Sequence, residues 1–272
     1  MLRFIKQGFI VTWNQPFAVI TLFIYRLIWS VILYKTIGSI IVPILHRYPE
    51  TEQGLMARHL FFAEGQFQFI KTDLPNAYIW LGLGLLAARM ILHPVLNAGV
   101  YYSLANEHMN SGYRFIRGIK QLTLPYFLYY IVQTALTLLP LLWLWPKFGK
   151  IATMTSSLPQ LATSLLPWMI GYLLYIYFVH LCFMYIQFGK LYEAGPFTSL
   201  FRLICWSPMV LSIAIIMLLI TGIFTLAAYT ATYIWAGLLA LLIYQLFPLF
   251  SSYLRIWSIA SQYELWRYRD VV

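Results

Sequence analysis

The sequence predicts an all-α integral membrane protein, a polytopic bundle of six transmembrane helices. Hydrophobic residues make up 61% of the 272 residues and charged residues only 10%, well below the roughly 25% charged that is usual in soluble domains. Six apolar segments have the length of about 20 residues that a helix needs to cross the hydrocarbon layer. Lysine and arginine are concentrated in alternate connections between these segments, as in multi-pass membrane proteins.

The six spans are defined by runs of apolar residues between polar or basic connections. In chain order they are Phe17–Ile37, Trp80–Tyr102, Pro125–Trp145, Leu165–Gln187, Pro208–Tyr229 and Tyr233–Tyr253. Between the first two spans lies a longer segment, residues 45–76, in which apolar and charged residues are interleaved. This pattern predicts one or two amphipathic helices on the outer leaflet, either as a lid over a cavity or as passive packing.

A basic amphipathic run precedes the first, third and fifth spans. The first run, MLRFIKQGFIVTWNQP, predicts an interfacial helix that Asn14 and Pro16 end. The runs RFIRGIKQLTLP and GPFTSLFRLICWSP resemble it and lead to Pro125 and Pro208. We therefore expect one membrane domain, residues 1–272, made of three units that each join an elbow helix to a helical hairpin: residues 1–105, 106–188 and 189–272.

Two glycines lie at corresponding positions before the second and third elbows. Gly112 and Gly195 have the same separation as Tyr102 and Tyr185. Glycine tolerates left-handed and tight backbone geometry, so both are expected to form the turns into the elbows.

The distribution of cations predicts the orientation of the chain. With the N-terminus inside, the inner connections hold twice as many lysines and arginines as the outer ones, and both termini are cytoplasmic. The net charge of +10 is spread over several short membrane-flanking connections, which favours anionic phospholipid as a partner and argues against nucleic acid.

One part of the chain resembles a known family. The stretch HPVLNAGVYYSLANEHMNSGYRFIRGIKQL before a proline-led span, with its weaker echo MYIQFGKLYEAGPFTSLFRLICWSP, resembles a broad bacterial family of six-span membrane proteins. That family includes YciC-like proteins and the membrane domain attached to some glycerophosphodiester phosphodiesterases. The resemblance implies a six-span fold in the bacterial cytoplasmic membrane and a lipid-related substrate. It does not extend to phosphodiesterase activity, because this chain offers no metal-binding carboxylate cluster.

Arginines within the spans are the strongest local signal for a site. Arg26 and Arg89 each lie about 14 Å into a span, where an unpaired cation costs at least about 2.5 kcal/mol. If they meet near mid-depth, they form a cationic cavity for an anionic group, because arginine offers a donor fork that matches phosphate oxygens. The neutral residues proposed to complete this ligand site are His93, Gln133, His180 and Gln245. In the alternative, both arginines merely reach towards the interface or bond to neighbouring helices.

The sequence contains no pattern of a known reaction centre. The five histidines show no His-Glu-x-x-His spacing, no Asp or Glu lies in a predicted span, and neither a Gly-x-Ser-x-Gly elbow nor a phosphate-binding loop occurs. We therefore expect no enzyme, no catalytic residue, no metal and no cofactor.

Two functions from different classes follow from these patterns. The first is a membrane protein that transports, binds or senses an amphiphilic or anionic, lipid-like substrate, as the permease-like subunit of a larger system with an energising partner subunit. The alternative is a non-transporting scaffold or assembly factor that docks a partner through its cytoplasmic elbow helices. A homo-oligomer is compatible with either function.

Overall fold

The computed structural model of the chain describes residues 1–47, 60, 64–65, 74–154, 158–234 and 237–270. Every regular element in these ranges is a helix, and the ranges contain no β-strand. The predicted all-α class is confirmed. Most of the predicted amphipathic segment, residues 45–76, lies outside the described residues.

Eight helices are defined in the described part of the chain, and we number them in chain order. They are α1 (Leu2–Trp13), α2 (Pro16–Arg47), α3 (Leu74–Ala105), α4 (Ser111–Met154), α5 (Leu158–Leu191), α6 (Pro196–Cys205), α7 (Ser207–Ile234) and α8 (Leu238–Asp270).

Five of these helices are apolar over a length that can cross a membrane. Their apolar segments are Pro16–Pro43, Asn76–Ala105, Ser111–Gly149, Thr163–Leu191 and Ser207–Ile234. Each contains one of the first five predicted spans, which supports a multi-pass membrane protein. The sixth predicted span, Tyr233–Tyr253, covers the end of α7, two residues outside the described part and the first half of α8. A sixth crossing therefore stays a prediction.

The N-terminal elbow folds as the sequence predicts. Helix α1 is capped at its end by Asn14, and α2 begins at Pro16, whose missing N–H costs nothing in the first turn of a helix. Ile5, Gly8 and Thr12 lie on one face of α1 and are buried.

The other two elbows differ from one another. The third is a separate helix, α6, and α7 begins beside the predicted helix-opening Pro208. The second elbow is continuous with its span, since both belong to α4 and Pro125 lies inside that helix. A proline removes only one backbone hydrogen bond, and an apolar environment favours keeping the remaining pairs intact by continuing the helix.

The turn into α6 uses a different residue from the predicted glycine. Gly195 has a φ of −65°, and the left-handed residue is Glu193, with a φ of 55°. The N–H of Ala194 donates to the carbonyl of Gly189 at 2.8 Å. The N–H of Glu193 donates to the carbonyl of Lys190 at 3.4 Å. These bonds form a Schellman motif, which satisfies the last carbonyls of α5 and holds Glu193 in place. Gly112 lies within α4, so neither predicted glycine adopts the left-handed conformation.

The described chain divides into two compact units. The smaller unit is Thr21–His93, which contains most of α2 and the first part of α3. Within it, the rings of Tyr25 and Trp29 stack at 6.3 Å. The larger unit is Met1–Ile20 with Pro94–Val272. In the larger unit, α8 packs against α1 and α7, and α5 packs against α4 and α6.

Aromatic side chains form the core of the larger unit. Six rings that are almost fully buried contact one another in a chain: Tyr101, Tyr126, Tyr185, Phe188, Tyr263 and Trp266. Two of their hydroxyls have hydrogen-bond partners, because the Tyr126 hydroxyl donates to the carbonyl of Gln187 at 3.0 Å and the Tyr185 hydroxyl donates to Gln262 at 2.9 Å. Buried aromatic pairs with satisfied hydroxyls favour one defined arrangement of α3, α4, α5 and α8.

Helix α1 is held against α8 by a close backbone approach. A Cβ atom on Gly8 would lie 2.5 Å from Oγ of Ser261 and 2.7 Å from its backbone nitrogen. One turn away, the indole N–H of Trp257 donates to the carbonyl of Ile5 at 2.8 Å. Glycine at position 8 is therefore what lets the elbow lie directly on α8.

A cluster of charged residues connects the turn between α3 and α4 to the end of α1 and to α8. The buried guanidinium of Arg114 donates to the carbonyl of Glu107 at 3.2 Å and to that of Asn14 at 3.0 Å. Arg267 forms an ion pair with Glu107 at 3.9 Å. Nearby, burial raises the pKa of Glu264; Glu107 reinforces this shift, and Arg267 opposes it.

Candidate functional site

Three of the six predicted ligand residues lie in the unit Thr21–His93. Arg26 and His93 are half-buried, and both have polar or electrostatic partners within the fold. Arg89 is exposed on α3. The meeting of Arg26 with Arg89 near mid-depth stays a prediction.

The other three predicted residues lie in the larger unit, which brings two of them together. Nε2 of Gln133 on α4 lies 3.4 Å from Nδ1 of His180 on α5, and both side chains are half-buried. This contact is a hydrogen bond when Nδ1 of the imidazole is the unprotonated nitrogen. Gln245 is exposed on α8.

The same unit contains a cationic site that sequence reasoning missed. Nη2 of Arg255 on α8 donates to Oδ1 of Asn97 on α3 at 2.8 Å, where Asn97 is only 7% exposed. The positive charge of Arg255 acts electrostatically on His180 and on Tyr101. Asn97 is a neutral amide whose oxygen accepts this hydrogen bond and so orients the guanidinium.

The sequence contained a signal for this pair. Arg255 follows the predicted end of the last span at Tyr253, a position at which the sequence predicts a cation at the membrane interface. Helix α8 continues past that point to Asp270, which places Arg255 within a packed helix, between the buried Leu254 and Ile256. An asparagine inside the predicted second span, at position 97, was the available signal, because a polar amide within a span usually has a partner.

An open groove lies along α7 in the larger unit. It has a volume of about 490 Å³, within the range of about 300–1,000 Å³ that is typical of ligand sites. Its lining comes from three helices: Tyr177 of α5, Ser258 of α8, and Met217, Leu218, Thr221, Gly222, Thr225, Leu226 and Tyr229 of α7. The hydroxyls of Thr221 and Thr225 donate to carbonyls of α7 itself, and that of Tyr177 donates to the carbonyl of Ala214. These lining hydroxyls are therefore already satisfied, and the groove presents mainly apolar surface.

The packing of α7 against α8 shows which residues lie at each end of the groove. The ring of Tyr229 contacts that of Phe247 at 6.3 Å, and Nε2 of Gln262 donates to the carbonyl of Val210 at 3.0 Å. The two helices are thus antiparallel, so Ser258 lies beside α7 near Met217, at the opposite end from Tyr229. The groove accordingly has one end at Met217 and Ser258 and the other at Tyr229.

Arg255 and His180 are each three residues from a residue that lines the groove. On α8, Arg255 is three residues before the lining residue Ser258; on α5, His180 is three residues after the lining residue Tyr177. Residues three apart on a helix share a face. The groove therefore presents a long apolar surface, and Arg255 and His180 each lie about one helical turn from one of its lining residues.

Among the described residues, no group of three or more His, Cys, Asp or Glu side chains is arranged to hold a metal ion. The cysteines Cys182 and Cys205 are both free.

No protein-family model, curated protein or solved structure matches this chain. The resemblance to the YciC-like family therefore stays a prediction that rests on the quoted stretches.

Proposed function

We propose that this chain is a multi-pass protein of the bacterial cytoplasmic membrane that binds an anionic, lipid-like amphiphile in the α7 groove. Binding there serves the transport or sensing of that amphiphile. The observation that supports this most directly is the groove itself, which is mainly apolar and has Arg255 about one helical turn from its lining residue Ser258. A lipid tail requires the first property and an anionic head group the second.

The nearby Arg255 favours an anion over a neutral lipid in the groove. The two walls from α5 and α7 contain no aspartate or glutamate, so an anion in the groove meets no like charge from either helix. Arginine binds carboxylates and phosphates through charge-assisted hydrogen bonds, which are roughly twice as strong as neutral ones. Active transport of the ligand would require an energising partner subunit, because the chain carries no nucleotide-binding loop.

A substitution inside the groove tests the proposal. Gly222 lines the groove and a Cβ atom there would meet no atom within 4 Å, so Gly222→Leu places a large side chain in the groove. We expect this variant to lose co-purifying anionic lipid in native mass spectrometry of the protein in mild detergent. The matched control is Gly171→Leu, since Gly171 also has open space around it and does not line the groove.

Equal lipid retention by Gly222→Leu, Gly171→Leu and the parent protein would overturn this proposal. It would favour the second function, a scaffold that docks a partner through its elbow helices. The observation in favour of that function is the exposed apolar face of α6. On this face Phe197, Phe201 and Ile204 are 85%, 67% and 67% exposed.

A further inference from the structure

We infer that Lys147, whose ammonium is held between the rings of Trp143 and Trp168, binds the phosphate of an anionic phospholipid. These three residues, the Lys147 site, lie where α4 ends and α5 begins, and none of them lines the α7 groove. The inference is therefore independent of the function proposed above. It follows from the direction of the lysine side chain, from the charges around it and from the exposed surface beside it.

Two tryptophan rings hold the ammonium group. Nζ of Lys147 lies 3.2 Å from the centroid of the Trp143 ring on the same helix and 4.4 Å from the centroid of the Trp168 ring on α5. The two ring centroids are 5.9 Å apart, and the ring planes meet at 70°. An ammonium within about 6 Å of a ring centroid is attracted by the negative face of the ring. The two rings therefore give the lysine side chain a defined position.

The side chain of Lys147 points back towards the predicted span instead of away from it. The third predicted span ends at Trp145, and the ammonium contacts Trp143, one turn before Lys147. A lysine near the end of a span usually extends towards water. Tryptophans near the ends of spans lie at the level of the lipid head groups. We therefore expect the two rings to hold the ammonium at the depth of the lipid phosphates.

The charge of Lys147 has no anionic partner in the described part of the chain. None of the described carboxylates forms an ion pair with it, and no described oxygen accepts a hydrogen bond from it. The sequence contains no aspartate or glutamate from residue 108 to residue 192, a range that includes all of α4 and α5. An ammonium has three N–H donors, and a phosphate offers oxygen acceptors and the opposite charge. These surroundings favour an anion supplied from outside the chain.

The surface beside the Lys147 site is apolar and exposed. Leu142, Trp143 and Trp145 are 81%, 60% and 77% exposed. A Cβ atom on Gly149 would meet no atom within 4 Å, so space is open beside this end of α4. Large exposed apolar patches mark sites of contact with a membrane or a partner protein. A phospholipid covers the apolar side chains with its acyl chains and the cation with its phosphate, and the positive charge favours an anionic lipid.

The test measures the environment of the two rings directly. The full chain is labelled with fluorotryptophan, and the fluorine resonances of Trp143 and Trp168 are assigned with Trp143→Phe and Trp168→Phe. The labelled protein is placed in nanodiscs of dioleoyl phosphatidylcholine that contain increasing fractions of dioleoyl phosphatidylglycerol, which has the same chains and a net negative charge. We expect both resonances to shift and to saturate with phosphatidylglycerol. Inorganic phosphate added to nanodiscs of phosphatidylcholine alone should leave them unchanged.

Substitution of Lys147 tests which group binds the phosphate. Lys147→Gln should weaken the apparent affinity of the site for phosphatidylglycerol about fivefold, the factor expected for one lysine at an anionic surface. Lys147→Arg keeps the charge and its attraction to the rings, so it should retain binding. The matched control is Lys35→Gln, because Lys35 is an exposed lysine near the end of the first predicted span. This control should titrate as the parent does.

Three results would overturn this inference, and none of them bears on lipid binding in the α7 groove, which Gly222→Leu tests. Equal titration midpoints for the parent and Lys147→Gln, or no response to phosphatidylglycerol, would show that the three side chains only anchor the helix ends. A response to inorganic phosphate would show a site for soluble anions. Resonances that change with protein concentration in detergent without phospholipid would show that a second copy of the chain covers this surface.

Discussion

At the scale of single residues, two arginines in the described part of the chain donate hydrogen bonds to neutral oxygen acceptors. Arg255 donates to the amide of Asn97, and Arg114 donates to the carbonyls of Glu107 and Asn14. Such acceptors fix the orientation of a guanidinium through its N–H donors. At Arg114 this links three segments of the chain, whereas at Arg255 it joins α8 to α3.

Glu264 shows the opposite situation, an acid whose charged form is disfavoured in the fold. Burial raises its pKa, so its neutral form contributes stability that is fully present below the ordinary glutamate pKa of about 4.3 and is lost as the pH rises through the raised value. Glu264→Gln stays neutral at all pH values. We expect it to raise the thermal unfolding midpoint relative to the parent near pH 8 and to give no advantage near pH 4.

The measurement for Glu264 is a series of thermal unfolding curves of the purified protein between about pH 4 and pH 8. Glu193→Gln, at an exposed glutamate, is the control. A gain in the midpoint that is the same at every pH would mean that the ionisation of Glu264 is not its cause.

At the scale of elements, the packing of the elbow helix α1 depends on a glycine at the contact with α8. The approach of α1 to α8 requires glycine at position 8, because a Cβ atom there would lie 2.7 Å from the backbone nitrogen of Ser261. Backbone atoms cannot turn away as a side chain can, so the whole helix must shift. The elbow therefore has little freedom to move relative to α8 while both helices remain intact.

Gly8→Ala should lower the thermal unfolding midpoint of the protein. Alanine is the better helix former by roughly 1 kcal/mol, but overpacking of this kind costs about 1–3 kcal/mol, so the clash outweighs the gain. Gly171→Ala is the matched control, because nothing lies within 4 Å of a Cβ atom there, and its midpoint should be unchanged or higher. A Gly8→Ala protein as stable as Gly171→Ala would contradict the close packing of α1 on α8.

At the scale of the whole molecule, the number of membrane crossings decides where the two ends lie. Five described helices can cross a membrane, and the first half of α8 belongs to the sixth predicted span. An even number of crossings puts both ends in one compartment, and the excess of cations predicts that this compartment is the cytoplasm. With five crossings the ends would be on opposite sides.

Cysteine labelling tests this topology. In a background without Cys182 and Cys205, we expect Lys6→Cys and Arg267→Cys both to react with a membrane-impermeant maleimide only after the cells are opened. Both positions are exposed in the structure, so the reagent can reach them. Labelling of one position in intact cells, with protection of the other, would show an odd number of crossings and contradict the six-span topology.

Much of the element-level structure could be predicted from the sequence. The first five spans, the α1 elbow and its end at Asn14 follow from local patterns of apolar residues and helix breakers. The continuity of α4 through Pro125 and the left-handed Glu193 did not follow, because both depend on how backbone hydrogen bonds are completed around them. Those completions involve neighbours that a local pattern does not identify.

The sequence by itself determined that the protein is helical and suited to a membrane, because hydrophobicity and helix length are properties of consecutive residues. Only the tertiary structure decided which polar residues meet. It pairs Gln133 with His180, two of the predicted ligand residues, and it brings Arg255 to Asn97 across 158 positions in the chain. Contacts between residues so far apart in sequence depend on how helices pack and rotate against one another. For this reason the pairing of Arg255 with Asn97 could be found only in the tertiary structure.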